Sequence, residues 1–165
     1  KLAKLPLPPG KKVHFVGHSL GGLVIRGLLA DPEHGFSVGN TVLIATPNKG
    51  SLIADQYREN FWVAWLCPVA LELGTSPDSY PNRLPPPYYN VGVIAGTVSY
   101  RSTGDLIPGP DDGVVTVESA KVERMSDFLA VNANHSRLRR YNPVLQQITH
   151  FIARGAFLLP SRKML

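Results

Sequence analysis

A serine on a sharp turn is the first chemistry that this sequence indicates. Residues 17–21 read Gly-His-Ser-Leu-Gly, which is a G-x-S-x-G motif. An apolar run typical of a buried strand, Val13 to Val16, precedes the motif, and a helical pattern, Leu20 to Ala30, follows it. This strand-turn-helix setting is the one in which the motif presents a nucleophile. We therefore predict Ser19 as a nucleophile at the apex of the turn.

The sharp turn restricts the backbone conformation around Ser19. A serine placed so abruptly between a strand and a helix is driven toward positive φ, a strained choice for a residue with a Cβ. The glycines two residues away on either side, Gly17 and Gly21, are predicted to make room for it. The N–H of Leu20 opens the helix, so we expect it to donate to an oxyanion formed beside Ser19.

A serine hydroxyl requires an imidazole to accept its proton and a carboxylate to orient that imidazole. In α/β-hydrolases, which this strand-turn-helix motif resembles, the acid and then the histidine follow the serine along the chain, at the carboxyl ends of later strands. This order implies that neither His14 nor His18 is the base. His135 comes after the last predicted strand in a short polar loop and is the predicted base. We expect His34 in a surface loop and His150 on a helix.

The carboxylate is expected in the loop after the third predicted strand, which contains Asp105, Asp111 and Asp112. Asp112 is the predicted acid because Gly113 lets the backbone bend and turn the carboxylate inward. Asp111 is the second candidate, and Asp105 is expected to cap or solvate the loop. In the alternative, all three are surface turn residues. Their spacing is not that of an EF-hand loop, so no metal and no cofactor is predicted.

Uniformly apolar strands alternate with amphipathic segments, which is typical of an α/β fold with a parallel sheet covered on both faces. The remaining predicted elements are strands at Thr41 to Ala45, Val91 to Ala95 and Phe128 to Val131, and a helix at Pro143 to Ala153. The 165 residues are predicted to form one domain. Residues 51–90, with an aromatic run at 61–66 and several prolines, form either a lid over the site or a segment packed on the edge of the sheet.

Composition narrows the classes of partner. The chain has 17 basic and 12 acidic residues, for a net charge of +5, but its basic residues gather near the two ends and are not interleaved with aromatics. Nucleic acid is therefore not a predicted partner. The single cysteine, Cys67, is expected to be a small buried hydrophobe. No apolar run is long enough to span a membrane.

With these residues identified, the chain resembles bacterial α/β-hydrolase-fold lipases and esterases, including proteins related to the PGAP1 group. The segments that carry the resemblance are Val13 to Gly22, Thr46 to Ser51, Asp112 to Val115 with Ser119, and His135 to Pro143. The resemblance implies a mainly parallel sheet flanked by helices, with Ser19, Asp112 and His135 as a catalytic triad and Leu20 N–H in the oxyanion hole.

The resemblance also has two departures. Asn48 stands where related lipases often have histidine, which affects the rim of the site near the second strand. The earlier strands of the family, and the loop that supplies a second oxyanion donor, have no counterpart before Lys1. Lys1 to Leu5 resembles the last turn of a helix, and we expect the N-terminal part of the fold to be missing from this chain.

The function expected from these residues is hydrolysis of carboxylic esters, with a small acyl ester or a lipid as substrate. Because a triad does not specify the leaving group or the acceptor, a thioesterase or an acyltransferase is an alternative. A non-catalytic domain that keeps the turn only as architecture is the alternative from a different class. Neither the acyl chain length nor the oligomeric state is predicted.

Overall fold

Four parallel strands form the sheet of this molecule, in a computed structural model that describes residues 10–57, 72–100 and 107–158. The strands are β1 (Val13–His18), β2 (Val38–Ile44), β3 (Val91–Gly96) and β4 (Asp127–Val131), and they lie side by side in that order. All three pairings are parallel, which confirms the predicted sheet type. Their carboxyl ends therefore lie along one edge of the sheet, called here the carboxyl edge; the opposite edge is the amino edge.

The two inner strands are apolar on both faces because both faces are covered. Every residue of β3 is buried, and β2 is buried from Thr41 to its end. One face packs against a cluster that includes Phe151, and the other against a cluster that includes Val115. Two covered faces explain why these strands do not alternate between apolar and polar residues.

The helices match the sequence prediction closely at the two ends of the chain. In chain order they are α1 (Leu20–Ala30), α2 (Leu52–Tyr57), α3 (Tyr80–Arg83), α4 (Val117–Ala120), α5 (His135–Leu138) and α6 (Asn142–Arg154). One expectation is wrong: His135 lies in the first turn of α5 and not in a loop. The side chain of Asn134 accepts a hydrogen bond from Arg137 N and so caps this short helix.

Outer strand β1 is paired on one side, with β2, in the part of the chain that the structure describes. Val16 on this strand is 49% exposed, and the α1 residues Leu20 and Val24 are exposed as well. Within the described ranges, no helix is long and apolar enough to cross a membrane. The predicted helical turn at Lys1 to Leu5, the aromatic run at 61–66, Cys67 and Asp105 lie outside the described residues.

Candidate active site

Ser19 lies at the carboxyl edge, between the end of β1 and the start of α1, in the predicted strained conformation. Its φ is 55° and its ψ is −128°, and the prediction of positive φ is confirmed. Ser19 N donates to Ile44 O at 2.8 Å, and Ser19 O accepts from Gly22 N at 3.0 Å. Neighbouring strand and following helix thus both hold the strained backbone, as such conformations require.

The glycines of the motif differ in what they allow. A Cβ on Gly17 would lie 2.7 Å from the backbone of Gly22, so this glycine lets the end of β1 and the start of α1 approach closely. A Cβ on Gly21 would meet no described atom within 4 Å, so the predicted steric need at this position is not found. The tight contact is at Gly22 instead, where a Cβ would collide with the side chain of Thr46.

His135 and Asp112 form a buried pair at the same edge. His135 Nδ1 lies 2.8 Å from Asp112 Oδ2, and the side chains are 12% and 1% exposed. A carboxylate can only accept, so Nδ1 carries the proton in this bond. His135 Nε2 is then left as the nitrogen that can accept a proton from a nucleophile.

Asp112 is held by hydrogen bonds from its own loop as well as by His135. Its Oδ1 accepts hydrogen bonds from Val114 N at 3.0 Å and Val115 N at 2.8 Å. Gly96, the last residue of β3, leaves the space that the aspartate occupies, since a Cβ there would lie 2.7 Å from Asp112 Cβ. These contacts fix Oδ2 in the direction of the imidazole.

The neighbouring carboxylate, Asp111, is also buried but faces elsewhere. Its Oδ1 accepts from Ser99 Oγ at 2.8 Å and from Gly113 N at 2.6 Å. It therefore closes its own turn. Of the two candidate acids that the sequence left open, the one beside His135 is Asp112. Within 10–57, 72–100 and 107–158, no three His, Cys, Asp or Glu side chains form a group that could hold a metal.

Two further aromatic side chains, His18 and Tyr100, contact the segments that carry His135 and Asp112. The sequence pattern did not indicate this role for either of them. His18 lies against His135, with ring centroids 4.7 Å apart, and its Nε2 is 3.0 Å from His135 O. The Tyr100 hydroxyl donates to Ser136 Oγ at 2.8 Å and accepts from Ser136 N at 3.1 Å. The Tyr100 ring covers Gly113 so closely that a Cβ there would collide with it.

Burial lowers the pKa of His18 below its ordinary value of 6.5, and the neighbouring charges of His135 and Arg139 act in the same direction. The hydrogen bond to the His135 backbone and the carboxylate of Asp112 oppose this shift but do not overcome it. His18 is consequently a neutral imidazole at neutral pH.

The loop after β2 contains a buried asparagine with a structural role. Asn48 is buried, accepts from the Arg26 guanidinium at 3.1 Å and donates to Ala120 O at 2.6 Å. Arg26 also donates to Leu84 O at 3.1 Å, and burial lowers its pKa. Asn48 thus links α1 to α4 by hydrogen bonds, at the position where the resemblance would place a histidine.

The other histidines lie away from this cluster. His14 and His34 are at the amino edge, where His14 Nδ1 accepts from Asn40 N and His34 Nδ1 accepts from Phe36 N. His150 is on α6, as predicted, and its Nδ1 donates to Ala156 O at 2.8 Å. None of these three lies beside a carboxylate in the hydrogen bonds of the described residues.

The arrangement has the parts needed to activate a hydroxyl. Ser19 Oγ has no hydrogen-bond partner among the described residues and does not cap α1. The N–H of Leu20, as the first in the helix, has no acceptor within it. A carboxylate-oriented imidazole, an unengaged hydroxyl and an open helix N-terminus thus share one edge of the sheet.

Comparison with solved structures identifies the fold. The lipase BlEst2 of Bacillus licheniformis in its propeptide form superposes with a TM-score of 0.71 at 21% identity, covering 94% of this chain and 39% of that one. Its mature form gives a TM-score of 0.61 at 19% identity, with 88% and 66% coverage. The metagenomic carboxyl esterase MGS0156 gives 0.61 at 20% identity, with 81% and 48% coverage.

The chain therefore has an α/β-hydrolase fold of the kind found in lipases and esterases, as the resemblance in its sequence predicted. No protein-family model and no curated protein sequence matches it. The chain spans 39% of the length of the propeptide-form lipase and 48% of the metagenomic esterase.

Proposed function

We propose that this α/β-hydrolase-fold chain carries the catalytic triad of a serine hydrolase that cleaves carboxylic esters. Ser19 is the nucleophile, His135 the general base and Asp112 the carboxylate that orients the imidazole. The observation that carries the proposal is the 2.8 Å pair between His135 Nδ1 and the buried Asp112, at the same edge as a serine with φ of 55°. Strain of this kind in a non-glycine residue is concentrated at functional sites.

Acylation follows from these positions. His135 Nε2 accepts the proton of Ser19 Oγ as Oγ bonds to the ester carbonyl carbon, and the carbonyl oxygen becomes an oxyanion. Leu20 N–H donates to that oxyanion, with the positive end of the α1 dipole behind it. The tetrahedral carbon then expels the alcohol, which takes the proton from His135 as the C–O bond breaks.

Deacylation repeats the sequence with water in place of the alcohol. His135 Nε2 removes a proton from water, the hydroxide oxygen bonds to the acyl carbon, and Ser19 leaves with the proton that His135 returns. Asp112 stays ionised throughout and stabilises the imidazolium that forms in each half. No step requires a metal or a redox group.

The likeness to a lipase and a carboxyl esterase supports the choice of carboxylic esters. The narrower likeness to the PGAP1 group stays a prediction. Thioester cleavage and acyl transfer use the same three residues, and initial rates on matched ester, thioester and amide substrates would separate them. A carboxylic ester hydrolase should prefer the ester and release free acid.

The test is covalent labelling of Ser19. The protein is treated with a fluorophosphonate, its intact mass is measured, and the adduct is located by peptide mapping, in parallel with p-nitrophenyl ester hydrolysis. We expect one adduct on Ser19, and Ser19→Ala should abolish both the adduct and the turnover. Ser37→Ala, an exposed serine at the amino edge, is the matched control and should behave as wild type. A chain that folds but is not labelled would contradict the proposal and favour the non-catalytic alternative.

A further inference from the structure

His18 connects the two outer strands of the sheet across the site. It ends β1, whereas His135 follows β4, and these strands are three spacings apart, about 14 Å. His18 Nε2 nevertheless lies 3.0 Å from the carbonyl oxygen of His135. The segment after β4 therefore brings His135 back over the carboxyl edge toward β1, and Val98 N, just after β3, donates to Ala133 O of this segment at 3.3 Å.

The partner of this bond fixes the protonation state of the His18 ring. A carbonyl oxygen can only accept, so Nε2 must carry the hydrogen, and the neutral ring leaves Nδ1 unprotonated. Burial favours the neutral form and lowers the pKa of the ring. His18 thus presents a donor to the backbone of His135 without placing a second positive charge beside it at neutral pH.

The other bonds of His135 fix it in a different direction. Its Nδ1 is held by Asp112 Oδ2 at 2.8 Å, and its backbone N donates to Asp112 O at 2.9 Å. Both bonds set the base relative to the acid. Neither sets it relative to Ser19, whose backbone is anchored in β2 through Ile44 O. His18 is covalently joined to Ser19, so its bond to His135 O sets the base relative to the nucleophile.

We propose that His18 is a positioning residue that holds His135, at the start of α5, in place relative to Ser19 through its Nε2–H bond to His135 O. The inference rests on the proposed function of Ser19 and His135. His18 accepts no proton in the reaction and touches no substrate. Its effect is on how often His135 Nε2 occupies the position from which it can accept the Ser19 proton.

Two substitutions separate the hydrogen bond from the ring contact. His18→Phe keeps a planar ring against His135 but removes the donor, and His18→Gln keeps an N–H donor at a similar reach but removes the ring. His34→Phe is the matched control, because the ring of His34 also lies near other aromatic rings, but at the amino edge. The second-order rate of fluorophosphonate labelling at Ser19 is measured for each, together with urea unfolding.

We expect His18→Phe to slow labelling by about 10- to 100-fold, the range that a misplaced catalytic group produces. His18→Gln should stay within about threefold of wild type, and His34→Phe should be unchanged. Labelling of His18→Phe at the wild-type rate would overturn the inference. So would a loss in His18→Gln as large as that in His18→Phe, because the ring and not the donor would then matter.

A measurement on the wild type covers the case in which His18→Phe does not fold. Nitrogen NMR of the histidine rings should find His18 as the Nε2–H tautomer, and the Nδ1–H tautomer would overturn the inference. Proton NMR should also show the His135 Nδ1–H bonded to Asp112 as a protected, downfield signal. In His18→Gln this signal should persist.

The same signals separate this inference from the proposed function. Wild-type protein that is not labelled at Ser19 contradicts the proposed function alone. The positioning role of the His18–His135 hydrogen bond is then tested by the His135 Nδ1–H signal. This signal must be lost to exchange or shifted in His18→Phe and kept in His18→Gln. A signal identical in all three proteins would overturn the positioning role.

Discussion

Both edges of the sheet carry a histidine whose ring lies near another aromatic ring, and the two histidines differ in what their nitrogens contact. At the carboxyl edge, His135 lies beside the carboxylate of Asp112, which is 1% exposed. At the amino edge, His34 is partly exposed, its ring is nearly parallel to those of Phe36 and Tyr88, and its Nε2 lies 2.5 Å from the Tyr88 hydroxyl. The amino-edge cleft has a volume of about 430 Å³ and is lined by Lys12, Asn90 and several aromatics.

The difference lies in charge and burial rather than in the presence of imidazole. A buried carboxylate stabilises an imidazolium and holds one tautomer, so His135 can take up and return a proton. A phenol hydroxyl and a backbone N–H hold His34 in place but offer no countercharge. An imidazole whose partners are neutral and partly exposed to solvent has a structural role.

Removing the negative charge of Asp112 should have the largest effect, because this charge is what distinguishes His135 from His34. In Asp112→Asn, the amide NH₂ would face His135 Nδ1, which must then accept, so that the proton moves to Nε2 and Ser19 loses its base. We expect labelling at Ser19 to slow by a factor on the order of 10⁴, the size seen when a triad carboxylate is replaced by its amide.

Asp111→Asn is the matched control for this change. Both side-chain hydrogen bonds that Asp111 makes with described residues end on Oδ1, which an asparagine keeps. Its labelling rate should stay within a few-fold of wild type, with about 1 kcal/mol or less lost in the free energy of unfolding. Equal losses in the two variants would mean that the charge of Asp112 has no special role.

A change in the turn that contains Asp112 and Gly113 should have the next largest effect. Gly113 has φ of 94°, and a Cβ there would collide with the ring of Tyr100. Gly113→Ala therefore combines backbone strain, on the order of 1–3 kcal/mol, with displacement of the ring that is bonded to Ser136. We expect lower unfolding free energy in urea and slower labelling.

The control for this turn is Gly109→Ala, which also has positive φ, 82°, but whose Cβ would meet no described atom within 4 Å. It should lose stability from backbone strain alone and keep its labelling rate. If Gly109→Ala slows labelling as much as Gly113→Ala, the contact with Tyr100 does not position the site.

The pH dependence of stability should reveal the neutral ring of His18. Its pKa is lowered in the folded chain, mainly by burial, with His135 and Arg139 acting in the same direction and Asp112 opposing them. Below the ordinary value of 6.5, the unfolded chain binds a proton that the folded chain does not, so stability falls as the pH falls toward the lowered value. At neutral pH and above, both states are neutral and nothing is lost.

His18→Gln lacks this titration. Between about pH 7 and about pH 5, its unfolding free energy should therefore fall less than that of the wild type, as followed by urea titrations at several pH values. Parallel curves for the two proteins would show that His18 titrates alike in the folded and unfolded chain.

Local patterns were sufficient to predict the four strands, the two long helices α1 and α6, and the strained serine, but not the four short helices that the structure describes. Apolar runs indicated all four strands, most clearly the inner strands β2 and β3, which are covered on both faces. The motif predicted the positive φ of Ser19. The sequence does contain a local signal for the helix at His135: Asn134 is a residue type favoured at helix N-caps, and its side chain accepts from the N–H of Arg137, three residues later. The predicted loop was wrong for that reason.

Features that depend on contacts between distant segments could not be predicted in the same way. Asp111 and Asp112 are chemically identical neighbours, and the packing of the turn against Gly96 decides which one faces His135. Gly22, not Gly21, is tightly packed because Thr46 arrives from the loop after β2. The order of residues along the chain excluded His18 as the base, but its bond to His135 O joins positions 117 residues apart.

The smallest effect should come from the amino edge. Tyr88→Phe removes the hydroxyl that contacts His34 but leaves the ring, and Tyr88 is 64% exposed. Solvent can satisfy the imidazole nitrogen in its place, so we expect the unfolding free energy to change by no more than about 0.5 kcal/mol and labelling at Ser19 to be unchanged. A slower labelling rate in this variant would mean that the two edges are coupled through the sheet. The contrast between the proposed catalytic histidine, His135, and the structural histidine, His34, would then no longer rest on their local partners alone.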